Sequence, residues 1–138
     1  MLKTILLNAW ILFWLARISI EDVRSFTIPN GYTLAVLAAG LFLCDVPVGS
    51  RLLAAALPFA LVPLMGMGDV KLYSALGFSL GLRGLLRIAC LSMLAGGLYA
   101  GALLAFKRAQ GKDRIPFGPF IAGAAMLVLL HPGGLLLT

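Results

Sequence analysis

Nineteen consecutive residues, Ile88 to Phe106, carry no charged side chain. That is close to the roughly 20 apolar residues a helix needs to cross the hydrocarbon core of a bilayer. The rest of the chain has the same character: of its 138 residues 62% are hydrophobic and only 12% charged, with a mean hydropathy of +1.05. A water-soluble domain carries about 25% charged residues, so a soluble fold is excluded. The apolar runs lack the strict alternation of a transmembrane β-barrel. What remains is an all-α fold, a polytopic bundle of transmembrane helices.

Six apolar segments are expected to span. They cover Met1 to about Ile20, about Ile28 to Asp45, Arg51 to Gly66, Asp69 to Leu82, Gly84 to Phe106 and Pro116 to His131. The fourth is short for a full span. Pro29-Asn30-Gly31 marks the start of the second, since Pro suits a first helical turn and Asn is a good cap. The first has a Lys and an apolar stretch, as a signal peptide does, but no A-x-A site follows. Trp10, Trp14 and Arg17 read as interface anchors of a retained span. Small residues, as in "LAGGLYAGALLA" at 94–105, let helices approach closely in lipid. No linker or repeat divides the sequence, so residues 1–138 read as a single integral-membrane domain.

The net charge of +6 fits lysines and arginines that flank spans and set topology. No basic stripe with interleaved aromatics suggests nucleic acid. Cys44 and Cys90 form no CxxC pair and read as small buried hydrophobes rather than zinc or redox ligands. The densest basic cluster, "KRAQGKDR" at 107–114, is expected on the cytoplasmic side. Alternating from it, the loops at 66–69 and 21–30 fall on the same side, and both termini fall outside. Arg24 and Lys71 then join the inside cluster, whereas Arg51, Arg83 and Arg87 fall outside.

This topology gathers carboxylates. Of five acidic residues, Glu21 and Asp22 end the first segment and Asp69 begins the fourth, all at the predicted cytoplasmic face. Asp45 falls at the far face and Asp113 in the basic loop. A carboxylate at bilayer depth costs at least about 2.5 kcal/mol, so Asp69, set in "MGMGDVKL", is a candidate functional residue. Two carboxyl groups sharing a site cannot both ionise freely and so share a proton, which is the machinery of aspartic proteolysis. Gly66 and Gly68 beside Asp69 permit positive φ and close backbone approach, and leave room for an extended substrate. They also suit a simple turn between two segments.

These residues resemble a known family. "GMGDVKL" is similar to the G-x-G-D-x-K motif of type IV prepilin peptidases, the GxGD-type aspartyl proteases of the bacterial inner membrane. "EDVRSFTIPN" resembles that family's other motif, an Asp followed seven positions on by Pro. Here Asp22 and Pro29 keep the spacing, with Asn30 after them. "RIPFGPFIAGA" at 114–124 resembles the Pro-Phe-Gly-Pro segment near the C-terminus of many members. The resemblance implies that Asp22 and Asp69 are the catalytic pair. The Pro29 spacing selects Asp22 over Glu21, since helical neighbours point about 100° apart. Lys71 matches the motif lysine, whose role is electrostatic, toward the carboxylates or a lipid phosphate, or else that of a topology signal. Pro116, Phe117, Gly118 and Pro119 are expected to shape the rim of the site, although a helix-starting proline alone accounts for Pro116.

The implied substrate is a type IV prepilin or a type II secretion pseudopilin. Its basic leader would be cut at the cytoplasmic face, and its apolar helix would dock laterally on the bundle among the membrane lipids. Many members carry a cytoplasmic insert with paired CxxC cysteines that is associated with N-methylation. Its absence implies the short, peptidase-only form, with no methyltransferase activity, no S-adenosylmethionine or other cofactor, and no metal. Glu21 departs from the family, in which an apolar residue often precedes the Asp. The alternatives are a GxGD protease with other substrates, such as preflagellins, an ion-relaying transporter, or a non-catalytic assembly subunit.

Overall fold

The protein is described here by a computed structural model covering residues 2–43, 45–106 and 115–131. The described residues are helical and contain no strand. Their elements are α1 (Leu2–Ser25), α2 (Asn30–Leu43), α3 (Val48–Ala56) running into a 3-10 segment (Leu57–Leu61), α4 (Met67–Ala105) and α5 (Gly118–Leu130). Two of these helices, α1 and α4, are long and apolar enough to cross a membrane. The outer surface is apolar as well, with Phe13, Leu34, Leu64 and Leu98 all more than half exposed. Large exposed apolar surface of this kind marks a membrane or protein interaction site.

Helix α4 is not one straight rod. Tyr73 and Ser92 share a hydrogen bond between their hydroxyls. Nineteen residues of straight helix would hold them about 28 Å apart. The chain therefore doubles back between them, and the reversal falls at Gly81, with φ 78° and ψ 178°. That conformation is essentially reserved for glycine. A Cβ there would also stand 2.8 Å from Val46 Cγ1. The Leu82 N–H released by the break donates to Ser50 Oγ at 3.2 Å. The fourth and fifth apolar segments thus become two halves of α4 packed side by side, and the boundary lies at Gly81 rather than between Leu82 and Gly84.

Arg51, read from the sequence as a topology charge, is buried. Its Nε donates to Phe78 O at 2.9 Å and its Nη2 to Gly40 O, while its guanidinium lies 4.2 Å over the Phe78 ring. Both carbonyls belong to ending helices, Gly40 in the last turn of α2 and Phe78 just before the break in α4. One guanidinium thus satisfies carbonyls that a helix end leaves unpaired, at the negative end of two helix dipoles.

Helix α4 is the centre of the bundle, packing on α2, α3 and α5, while α1 packs on α2 and α5. Small residues bring backbones together where α4 meets its neighbours. A Cβ on Gly77 would lie 2.6 Å from Ala54 O, and one on Gly40 would lie 2.7 Å from Ser79 Cα. The glycine-rich stretch 94–105 contributes less than expected. Gly96 sits against the Phe117 ring, but Gly97 and Gly101 have nothing within 4 Å of an added Cβ. Cys90 is exposed rather than buried. Cys44, Asp113 and the basic cluster 107–114 lie outside the described residues.

Candidate active site

Helix α1 buries one stripe: Leu7, Ile11, Leu15, Ile18 and then Asp22. Steps of three and four residues keep these on a single face. Asp22 is therefore carried inward, to 5% exposure, by the same periodicity that buries the leucines. Glu21 lies off that stripe. One turn later α1 ends at Phe26, whose φ of 53° is left-handed. Glycine usually occupies such a helix-ending position. Here the Phe26 N–H still closes on Asp22 O at 2.9 Å.

Asp69 lies in the first turn of α4, with Gly66 as N-cap. Asp22 and Asp69 line one cavity of about 590 Å³, together with Phe26 to Ile28, Gly66 to Gly68, Lys71 and Ile115 to Phe117. The wall is made of helix ends and the connections between them: the end of α1 and the approaches to α2, α4 and α5.

Neither Gly66 nor Gly68 has a positive φ, so the conformational part of the sequence reading is corrected. The steric part fits Gly66, since an added Cβ would stand 3.7 Å from Asp69 Oδ2, in the space beside the carboxylate. An added Cβ on Gly68 would make ordinary contact with Ile28, at 3.5 Å.

The segment 115–119 has a more direct role than a rim. The Gly118 N–H, at the start of α5, donates to Asp22 Oδ2 at 2.8 Å. A helix N-terminus offers unpaired N–H groups and a positive dipole end, to which a carboxylate is a natural complement. Any side chain at position 118 would collide, since a Cβ would lie 2.7 Å from Asp22 Oδ2 and 2.9 Å from Cβ and Cγ. Pro119 occupies the first turn of α5, where its missing N–H costs nothing. The helix-starting proline is thus Pro119, and Pro116 lies outside the helix as part of the cavity wall.

Lys71 also lines the cavity, and its Nζ donates to Asn30 Oδ1 at 3.0 Å. Asn30, the first residue of α2 as the sequence suggested, is therefore also a partner of Lys71. Neither Asn30 nor Pro29 lines the cavity, although Pro29 O accepts from the Tyr32 N–H in the first turn of α2. Phe26, Thr27, Met67 and Ile115 were not singled out in the sequence. The left-handed Phe26 carries no sequence signal, because a phenylalanine there is the exception.

The family model of the type IV leader peptidase family matches residues 9–101, which include both carboxylates. The chain belongs to that family. Among its curated relatives, a prepilin leader peptidase/N-methyltransferase of Aeromonas salmonicida is 32% identical over 142 residues, covering 90% of this chain and 49% of the relative. One of the same name from Bacillus subtilis is 29% identical over 126 residues, covering 83% of this chain and 51% of the relative. A third, from Xanthomonas campestris pv. campestris, is 46% identical over 67 residues, covering 46% of this chain and 22% of the relative. The chain thus spans about half the length of the first of these family members. No solved structure matches it. The family match ends at residue 101, so the contact of Gly118 with Asp22 is an observation of the structure alone.

Proposed function

We propose that this chain is a membrane aspartyl endopeptidase that removes the basic leader of type IV prepilins or pseudopilins at the cytoplasmic face of the bacterial inner membrane. The observation that carries the reading is that Asp22 and Asp69, 47 positions apart in sequence, line one cavity. The mechanism needs one of the two carboxyls protonated and the other ionised. A water between them loses a proton to the ionised member and attacks the scissile carbonyl. The protonated member donates to the carbonyl oxygen, giving a tetrahedral diol. Collapse of the diol re-forms the carbonyl, breaks the C–N bond and delivers a proton to the leaving nitrogen. Gly118 holds Asp22 at one oxygen, which leaves Oδ1 for the water. Gly66 keeps the flank of Asp69 open for an extended peptide.

The six-segment topology belongs to the same proposal. It counts α1, α2, α3 with its 3-10 extension, the two halves of α4, and α5. The site then lies where water reaches the ends of four helices, on the side of Arg24 and Lys71. Only the peptidase part of the relatives' names is carried over, because residues 1–138 contain no CxxC pair.

The test is co-expression with a prepilin and a gel-shift assay of leader removal. Asp22→Ala and Asp69→Ala are each expected to abolish processing as fully as the double variant, because the two act as a unit. Glu21→Ala and Asp45→Ala are expected to cut. Processing by Asp22→Ala would refute the pairing and turn suspicion on Glu21.

A further inference from the structure

A second cavity, of about 440 Å³, opens between α2, the end of α3 with its 3-10 segment, and the first half of α4. Leu34, Leu37 and Phe59 form its apolar wall, and Asn30 and Lys71 its polar end. Lys71 also lines the carboxylate cavity, so the two spaces meet at one side chain. Ser74 lies one helical turn beyond Lys71. It lines this groove and is 7% exposed, yet its hydroxyl has no hydrogen-bond partner. Buried hydroxyls are nearly always paired, and a serine hydroxyl rotates to meet an acceptor. By contrast the nearby Thr33 hydroxyl is satisfied, donating to Asn30 O at 2.9 Å.

We propose that this groove binds the apolar segment of the substrate that follows the scissile bond, with a carbonyl of its first, extended residues accepting from Ser74. The inference rests on the peptidase reading of the neighbouring carboxylates. Three features select this occupant. The groove is apolar along its length and joins the carboxylate cavity at one end, so a chain lying in it reaches the reacting centre. Lys71 at the junction repels a basic leader, which leaves the apolar flank as the part that enters. A hydrocarbon tail of a lipid has no acceptor for the Ser74 hydroxyl, whereas substrate residues still extended beside the scissile bond carry carbonyls that no helix has paired.

The test is photo-crosslinking in proteoliposomes with a full-length type IV prepilin. Asp69→Asn keeps the substrate intact, and p-benzoylphenylalanine is placed either at Leu34, in the groove, or at Met67, in the carboxylate cavity. The expected result is a prepilin adduct from both positions, with the Leu34 adduct mapping to the apolar segment. An adduct from Met67 combined with a Leu34 adduct on lipid, on the leader, or on nothing overturns the groove and leaves the peptidase reading intact. Prepilin adducts from neither position overturn both. In the active protein, Leu34→Trp is expected to raise KM about tenfold and Ser74→Ala about fivefold, each with kcat little changed, because both remove binding and not chemistry. A fall in kcat at constant KM would overturn the assignment.

Discussion

Gly118→Ala puts one methyl group where α5 meets Asp22. The new Cβ would stand 2.7 Å from Asp22 Oδ2 and 2.9 Å from its Cβ and Cγ, so about 0.7 Å of movement is needed to reach ordinary contact. Asp22 is buried on the core stripe of α1, and α5 is packed against both α1 and α4. The carboxylate therefore swings, or α5 withdraws, and either motion breaks the 2.8 Å bond from the Gly118 N–H. A hydrogen bond to a charged group contributes about 1.5–3 kcal/mol, which sets the expected loss of stability. The catalytic loss is of similar size, since misplacing a reacting group by about 1 Å costs about 100-fold, or about 2.7 kcal/mol. The assay is the initial rate of leader cleavage in proteoliposomes, read beside thermal unfolding of the same sample. Gly123→Ala is the control, as it lies on the same helix with nothing within 4 Å of its added Cβ. It is expected to cut at the wild-type rate. Wild-type cleavage by Gly118→Ala, in a preparation where Asp22→Ala is inactive, would refute the idea that α5 seats the carboxylate.

Gly81→Ala is expected to destabilise the bundle by about 3 kcal/mol, since the reversal in α4 uses a conformation open essentially to glycine; denaturant unfolding in detergent measures it. Arg51→Met leaves the Gly40 and Phe78 carbonyls without their buried partner, at about 1–3 kcal/mol for each unsatisfied group. Arg51→Lys recovers only part of this loss, because an ammonium lacks the planar fork that reaches two carbonyls at once; the same unfolding assay ranks the three proteins. The cleavage rate is expected to depend on pH, because the mechanism needs one carboxyl protonated and the other ionised. A rate independent of pH would remove the shared proton from the mechanism.

What the sequence made legible was whatever depends on short spacing. The helical content followed from apolar runs, and the inward direction of Asp22 follows from its place four, seven and eleven residues after Ile18, Leu15 and Ile11. The break in α4 was legible to within a few residues. Other features depend on what meets in space. The contact of Gly118 with Asp22 joins positions 96 residues apart, and within a Pro-Phe-Gly-Pro string a glycine that receives a carboxylate looks like one that only turns the chain. Arg51 was misread for a related reason. At the edge of an apolar segment an arginine normally marks the membrane surface, and only the assembled bundle brings two unpaired helix carbonyls within reach of one guanidinium. Lys71 and Asn30, drawn from two separate motifs, became partners of each other.

These contacts also explain why the site lies at the ends of helices rather than along their middles. Within lipid every backbone group must be satisfied inside the protein, so the middle of a helix has no donors to offer. Its first turn has unpaired N–H groups. Asp22 is held by such a group at the start of α5, Asp69 lies in the first turn of α4, and Lys71 is tied to Asn30 at the start of α2. The N-termini of α4 and α5 thus meet at the cavity into which the last turn of α1 delivers a carboxylate, and the start of α2 is tied to it through Lys71. This arrangement gives two acidic groups a polar setting without a loop crossing the apolar core. It also sets the apolar groove beside the cavity, with Lys71 lining both.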